Sequence, residues 1–250
     1  MSSGPTLVSI LIPVYNEAAY VGEVVARVRA VSLPPGVRRE IIIVDDGSTD
    51  GTRAVIEALQ GADLRVIASQ CNGGKGMAIR LGIAAAQGDI ILLQDADLEY
   101  DPADHPRVLA PILEGRAAIV YGSRFLGEIT GMSPANRVAN LILRGATNLL
   151  YGSSLTDEAT AYKAFRADVL RGFSFRARRF EWCPEVTAKC LRAGHRIVEV
   201  PVRYRARSVG QGKKIRWWDL VHALWTLARY RLPGLPRPFR VGRASDGLTR

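Results

Sequence analysis

Two acidic pairs stand where long apolar runs end: Asp45-Asp46 after EIIIV, and Asp95-Ala96-Asp97 after DIILLQ. Carboxylates brought to one place repel unless a cation lies between them. Mg2+ or Mn2+ fills that role with one or two carboxylates and takes phosphate oxygens for the rest of its shell. The chemistry on offer is metal-assisted handling of a diphosphate, with Asp95 and Asp97 as metal ligands. Either pair alone reads equally well as a cap on the next helix or turn. The two together, behind such apolar strands, favour the metal. A third string, NGGKG (Asn72–Gly76), imitates a phosphate loop. Ser69 and Gln70 stand where that loop needs its first glycine, and Gly76 replaces the metal-binding hydroxyl. Ile79 in the last position also excludes a dinucleotide fingerprint.

Such groups need a frame that gathers strand ends. Leu7–Val14 is an almost continuous apolar run, as in a strand buried on both faces. Asn16 is placed to cap a helix whose stripe is Val21, Val24, Val25 and Val28. Glu40–Asp45, Leu64–Ala68 and Asp89–Gln94 read as further strands. Helices between them start at Ser48 or Asp50 and span Gly76–Gln87. This alternation predicts an α/β fold, a doubly wound, mostly parallel central sheet with helices on both faces, whose carboxyl strand ends face the ligand crevice. Beyond about residue 100 the rhythm loosens. Asp101-Pro102 opens a helix, Ala117–Tyr121 is a strand, and Asn136–Tyr151 a helix. Tyr162–Phe165 is a short strand, Pro184–Arg192 a helix, Arg196–Val202 a strand and Ile215–Tyr230 the last helix.

The 250 residues are 48% hydrophobic and 23% charged, which excludes a disordered, collagen-like or coiled-coil chain. Cys71, Cys183 and Cys190 are odd in number and lack metal-ligand spacing, as in a reducing compartment. The start, MSSGPTLVSILIPVY, has no basic region or cleavage site. No run approaches the roughly 20 apolar residues of a spanning helix. The expectation is an intracellular protein, soluble or bound at a surface. The formal charge of +10 is concentrated in residues 203–250, with twelve Lys/Arg against Asp219 and Asp246. A basic final fifth on a neutral body points to an anionic partner. In the last helix Ile215, Trp218, Val221, Leu224, Trp225 and Ala228 recur at helical spacing. Trp217 and Tyr230 flank them, and Lys213, Lys214, Arg216, Arg229 and Arg231 ring the ends. That is the pattern of a helix lying on an anionic membrane surface. Packing on the body, or contact with a membrane protein partner or a second copy, competes with it. Nucleic-acid binding lacks any reader motif. His105, His195 and His222 stand outside the motifs and read as surface or packing residues.

PVYNE (Pro13–Glu17), IIIVDDGSTDGT (Ile41–Thr52) and NGGKGMAIRLGIAAAQGDIILLQDADLEYDP (Asn72–Pro102) together resemble family 2 glycosyltransferases with a GT-A fold. Within that family the chain is most similar to the dolichyl- and polyprenyl-phosphate sugar synthases, over roughly residues 7–231. The resemblance implies one GT-A (Rossmann-like) domain over 1–231. Its nucleotide-binding half would be about 7–100 and its acceptor half about 101–231, with a basic Pro/Arg-rich tail at 232–250. It implies that Pro13, Tyr15 and Glu17 border the nucleobase and ribose, and that Val44, Asp45 and Asp46 read the base. Asp95 and the catalytic Asp97 would hold Mg2+ or Mn2+ and the diphosphate, and Ala96 would line the sugar-nucleotide site. Glu99 stands where relatives often carry Gln. Arg124 and Arg137 match positions that face an acceptor phosphate, with plain surface arginines as the competing reading. Arg207 and Lys213, in RARSVGQGKKI, resemble a mobile loop that closes over the diphosphate. Gly212 stands where many relatives have Ser, and Lys214 is an alternative to Lys213. Glu158 and Glu185 would orient sugar hydroxyls or, on the reading favoured here, serve as buried partners of Lys163 or Arg179.

The activity implied is an inverting, metal-dependent transfer of a hexose from a nucleotide sugar of the GDP-mannose or UDP-glucose type. The acceptor would be polyprenyl or dolichyl phosphate at the cytoplasmic face of a membrane. A phosphate acceptor is already ionised, so no general base is required, in keeping with motifs that contain no His. Alternatives are the same chemistry on a soluble or glycan acceptor, or an inactive nucleotide-sugar-binding paralogue. A hydrophobic, lipid-length groove beside Arg124 and Arg137 would separate the first of these from the lipid acceptor.

Overall fold

A computed structural model describes residues 5–59, 61–207 and 217–232. Strand β1 (Thr6–Val14) leads through α1 (Val21–Ala30) to β2 (Val37–Asp45), then α2 (Thr52–Ala58), β3 (Leu64–Ala68), α3 (Lys75–Ala85) and β4 (Ile90–Leu93). Next come α4 (His105–Leu113), β5 (Ile119–Ser123), β6 (Ile129–Thr130), α5 (Pro134–Tyr151), β7 (Lys163–Arg166) and α6 (Ala167–Arg171). The chain continues through α7 (Trp182–Arg192), β8 (Ile197–Pro201), β9 (Tyr204–Arg205) and α8 (Trp217–Arg231).

Seven strands form one sheet in the order β3-β2-β1-β4-β7-β5-β8. The chain winds outward from β1 to β3, then crosses back to place β4 on the other side of β1. The carboxyl ends of β1 and β4 thus flank a topological switch point, where α/β sheets open a crevice. All pairs are parallel except those of β7, which runs antiparallel to both β4 and β5. The sheet is mostly parallel, as expected, and β7 is its exception. A four-residue strand carries no sequence mark of its direction. Strands β6 and β9 pair separately, and the sequence pattern gave no hint of them.

Each sheet face has its own core. Ile10, Ile12, Ile41 and Ile43 turn to one side, under Val21, Val24, Val25 and Val28 of α1 and Val108 and Leu109 of α4. Burying each α1 valine is worth about 1.5 kcal/mol or more. Leu11, Ile42 and Val44 turn to the other side, under Ala78 and Ile79 of α3 and Trp182, Val186 and Cys190 of α7. A third cluster joins α5, α7 and α8 through Leu143, Ala188, Ala223 and Leu227.

Local starts differ from expectation in three places. Asn16 does not cap α1. It sits at φ +52 and accepts the Thr49 N–H at 2.8 Å, tying the β1 and β2 loops together. Helix α2 starts at Thr52, whose N–H goes to the Asp50 carboxylate at 3.0 Å. Helix α5 begins two residues earlier than its apolar pattern, with Ser133 accepting the Asn136 N–H and Pro134 in the first turn. No helix among the described residues is long and apolar enough to cross a membrane.

Candidate active site

The two acidic turns follow β2 and β4, at the same edge of the sheet. Asp45 and Asp46 part ways there. Asp45 is buried and faces away from the crevice, accepting the Ser48 N–H and Arg53 Nε. Asp46 turns inward and accepts the Gly73 and Gly74 N–H groups at 2.9 and 2.7 Å. Gly47 makes that turn possible, with φ +74 and no room for a Cβ, which would lie 2.7 Å from the Cys71 carbonyl carbon. Burial raises the Asp46 carboxyl above its ordinary value, against the two backbone donors. The NGGKG string is therefore a carboxylate clamp and a helix start.

Its lysine makes a contact that motif matching misses. Lys75, the first residue of α3, places Nζ 2.5 Å from Asp95 Oδ1 and 5.9 Å from the Phe180 ring centre. The signal available in the sequence was a lone cation at a strand-to-helix turn opposite an acidic turn.

Asp95, Ala96 and Asp97 follow β4. Gln94 anchors that turn, its amide N–H going to the Asp95 carbonyl at 2.9 Å. The Gln94 carbonyl oxygen receives the Tyr162 hydroxyl at 2.6 Å and meets His105 Nε2 at 2.8 Å. His105 is thus a packing residue, and burial lowers it to about 3, so it stays neutral and donates from Nε2. Leu98 adopts φ +59, strained for a leucine, and the turn folds Asp97 onto the Glu99 N–H at 3.1 Å. Burial first, and then the charges of Asp95 and Glu99, push the Asp97 carboxyl up to about 7.

Arg207 answers this concentration of charge. Its guanidinium reaches Glu17 Oε2 and Asp97 Oδ2, each at 2.9 Å. Its backbone N–H goes to Glu99 Oε1, and the Tyr204 hydroxyl to Glu99 Oε2, both at 2.9 Å. Glu99 thereby ties the acidic turn to β9 and the basic segment beyond. Hard carboxylate oxygens under mutual repulsion are a donor set that suits Mg2+ or Mn2+. Among the described residues no three His, Cys, Asp or Glu side chains gather to hold an ion. An ion here would take Asp95 and Asp97 and complete its shell from phosphate and water.

A cavity of about 1170 Å3 runs from this centre between α5 and α8. Pro13, Tyr15, Glu17, Asp46, Asp95, Ala96, Asp97, Glu99, Arg124 and Arg207 line it together. Val44 is not brought there, since it is buried in the core beneath α3. Arg137 is exposed on α5 and outside the lining, and Lys213 lies outside the described residues.

Arg124 is only 6% exposed and locked by its neighbours. Asp157 accepts from its Nε and Nη2 at 2.7 Å each and from its backbone N–H at 2.9 Å, while Asn140 of α5 takes Nη2 at 2.8 Å. Nη1 is left out of these bonds. Beyond Arg124 the lining is mostly apolar: Ala135, Val138, Ala139, Ile142 and Leu143 from α5 face Leu220 and Ala223 from α8, with Asn136, Asn140 and Asp219 among them.

Glu185 is a structural partner, though of other groups than Arg179 or Lys163. It accepts from Lys189, the Tyr230 hydroxyl and the Arg176 and Ala177 N–H groups, which hold it below its ordinary range despite burial. It fastens α8 to α7. Along α8, Ala223 and Leu227 face the body, while Trp218 is 55% exposed with Val221 beside it. The single stripe expected on this helix is split between two faces. Ile215 and the cations from Lys213 to Arg216 lie outside the described residues.

Glycosyltransferase AglJ of Haloferax volcanii is 30% identical over 208 residues, 82% of this chain and 65% of that protein. The undecaprenyl-phosphate 4-deoxy-4-formamido-L-arabinose transferase of Edwardsiella ictaluri is 29% identical over 209 residues, 82% of this chain and 62% of that protein. The chain spans a little under two-thirds of the length of these relatives. Among solved structures, glucosyl-3-phosphoglycerate synthase from Mycobacterium tuberculosis, in complex with Mn2+, uridine diphosphate and glucosyl-3-phosphoglycerate, matches with a TM-score of 0.71. At 22% identity over 93% of this chain and 82% of that one, the likeness is of fold, the GT-A fold. A profile described as glycosyl transferase family 2 matches residues 9–173, which take in both acidic turns and the strands that present them. The chain belongs to glycosyl transferase family 2.

Proposed function

We propose that this chain transfers a hexose from a nucleotide sugar, of the UDP-glucose or GDP-mannose type, to a polyprenyl or dolichyl phosphate, with inversion at the anomeric carbon. The observation that carries this is the continuity of the cleft. One end is acidic and cation-bordered, and the other is an apolar groove between α5 and α8, with Arg124 at the junction. A soluble acid such as phosphoglycerate has no use for such a groove. One of the two similar transferases is named for undecaprenyl phosphate, in line with this acceptor class.

Asp46, held by two backbone donors, is a fixed acceptor for the nucleoside, with Tyr15 and Pro13 beside it. Asp95 and Asp97 would hold Mg2+ or Mn2+, which when bound stabilises the negative charge that grows on the leaving diphosphate. Lys75 and Arg207, the cations facing these acids, are placed to meet the phosphate oxygens as the anomeric bond breaks. The acceptor phosphate, already anionic, needs orientation and no base, and Arg124 Nη1 together with the groove supplies it. Val138, Leu141 and Ile142, half exposed on α5, and Trp218 on α8 give an apolar face to a membrane. The basic final fifth of the chain suits an anionic surface, the cytoplasmic face, where the protein would sit peripherally.

The test is a transfer assay with UDP-glucose, GDP-mannose and UDP-N-acetylglucosamine, each with Mn2+. Undecaprenyl phosphate, dolichyl phosphate and 3-phosphoglycerate are offered in parallel. Sugar that becomes lipid-extractable supports the proposal. Transfer to 3-phosphoglycerate alone, or nucleotide-sugar binding without any transfer, overturns it in favour of the soluble acceptor or the inactive paralogue.

A further inference from the structure

The proposed activity leaves one group on the cleft wall without a task. Glu158 follows Asp157 at the approach to β7, lines the cavity near Ala161 and Cys183, and is 1% exposed. Its Oε1 accepts the Thr187 hydroxyl at 3.0 Å. Its Oε2, equally buried, has no hydrogen-bond partner among the described residues. The nearest cation does not fill that position. Lys163 gives its ammonium to the Glu158 backbone carbonyl at 2.6 Å and lies 3.6 Å from the centre of the Tyr121 ring. Burial pushes the Glu158 carboxyl up, and the Lys163 charge opposes that push. The charge is thus partly balanced while one bonding position stays open. Buried polar atoms are nearly always paired, so an unpaired one beside a cleft points to what the cleft holds.

Its place in the cleft narrows the choice. The neighbouring Cys183 lies within electrostatic reach of Glu158 and Lys163 and also of Lys75 and Asp95. Arg124 is also within electrostatic reach of Glu158. Glu158 shares the cavity wall with Lys75 and Asp95 of the diphosphate end and with Arg124, so a sugar carried on the diphosphate lies in the same cavity. A hydroxyl both donates and accepts, so it satisfies Oε2 whether the carboxyl is ionised or protonated. An ammonium satisfies only the ionised form.

We infer that Glu158 binds a hydroxyl of the hexose carried by the nucleotide donor and so helps to select the sugar, which rests on the cleft being a nucleotide-sugar site. Glu158 touches the sugar and leaves the nucleotide alone, so its loss separates the two ligands. It also separates a sugar contact from an acid that only props up the wall.

Titration calorimetry of the full chain with Mn2+ compares UDP with UDP-glucose and GDP with GDP-mannose. Glu158→Ala lowers affinity for the nucleotide sugar by about 10- to 100-fold. Glu158→Gln keeps the Thr187 contact through its one oxygen and offers the sugar hydroxyl an amide N–H in place of Oε2, and loses less. Both hold the free nucleoside diphosphate within about twofold of wild type, since no bond to it is removed. Deoxy derivatives of the sugar, lacking one hydroxyl at a time, give a ligand-side arm that needs no variant to fold. One of them loses a comparable factor on wild type and nothing further on Glu158→Ala. Wild-type affinity for the nucleotide sugar in both variants overturns the inference. So does equal loss of sugar-bearing and sugar-free ligands, or a wild type indifferent to every single hydroxyl. A wild type that binds no nucleoside diphosphate overturns the nucleotide-sugar site itself, and the role of Glu158 falls with it.

Discussion

The two ends of the cleft are built in opposite ways. At the acidic end nearly every functional side chain is held by backbone or by a second charge: Asp46 by the Gly73 and Gly74 N–H groups, Asp95 by Lys75, Asp97 by Arg207 and the Glu99 N–H. At the far end the wall is apolar and partly open. Of α5 only Leu143 and Thr147 are buried, and Leu149 is 86% exposed. Charge that develops during a reaction needs donors already fixed in place. A long hydrocarbon chain needs only apolar area at roughly the right width. On the proposed function, the two ends look unlike because they answer different physical demands.

The sharpest way to break the comparison is Asp97→Asn. We expect turnover to fall at least about a hundredfold, since one charge is lost where cation and diphosphate meet. The fold should persist, because burial and like charges already disfavour this carboxylate. Initial rates beside a melting curve read both, and near-native turnover would remove the metal centre from the proposal.

Asp157→Ala acts at the joint between the two ends. It leaves the buried Arg124 charge uncompensated and should cost about 3–5 kcal/mol in denaturant unfolding. Changing both partners, Arg124→Met with Asp157→Leu, should recover much of that stability while transfer to lipid phosphate stays impaired. Recovery of both together would reduce Arg124 to scaffolding.

Val138→Ser with Ile142→Ser tests the open end. The apparent KM for a long polyprenyl phosphate should rise about tenfold, by loss of half-buried apolar area. Melting temperature and the use of a short-chain phosphate should hardly move. Trp218→Ala should weaken binding to anionic vesicles and leave melting unchanged. Trp225→Ala, less exposed and with Nε1 buried, should do the reverse. Co-sedimentation beside melting curves separates the two.

An effect absent at neutral pH lies under the acidic end. His105 is held neutral with its folded value lowered to about 3, against about 6.5 in the unfolded chain. The stability it contributes is complete above about pH 6.5 and drains away as pH falls towards 3. His105→Asn should flatten the acid limb of a plot of melting temperature against pH. An unchanged limb would assign acid sensitivity to the carboxylates instead.

The fixed end was the more legible in the sequence. Strand ends carrying Asp46, Asp95 and Asp97 are marked by apolar runs that stop abruptly, and backbone geometry demands Gly47 beside them. Three kinds of residue were hidden there. Lys75 sits in a string that imitates a nucleotide loop, and its partner Asp95 lies twenty residues on in the chain. Gln94 acts through its neighbours, His105 and Tyr162, from elsewhere in the chain. Val44 and Asp45 share the string with Asp46, but a strand sends alternate side chains to opposite faces, and the turn sends Asp45 to Ser48 and Arg53. At the open end, α5 and α8 were readable as helices. The faces they bury depend on partners made far apart in the chain, so the stripe on α8 was read as one surface when it is two.

Strand β7 has a consequence for how the chain comes off the ribosome. Its partners on β4 lie about seventy residues earlier, in the register Ile90↔Arg166 to Leu92↔Ala164. Strands β1 to β4 can pair as soon as they emerge, but β4 then presents an unpaired apolar edge until Arg166 has been made. Strand β5 is synthesised sooner and cannot close that edge, because β7 must sit between them. At 5–20 residues per second the exposure lasts roughly 4 to 15 seconds, long enough for a sticky edge to find another chain. A nascent chain stalled before β7 should therefore recruit holdase chaperones. The amino-terminal hundred residues, expressed alone, should aggregate.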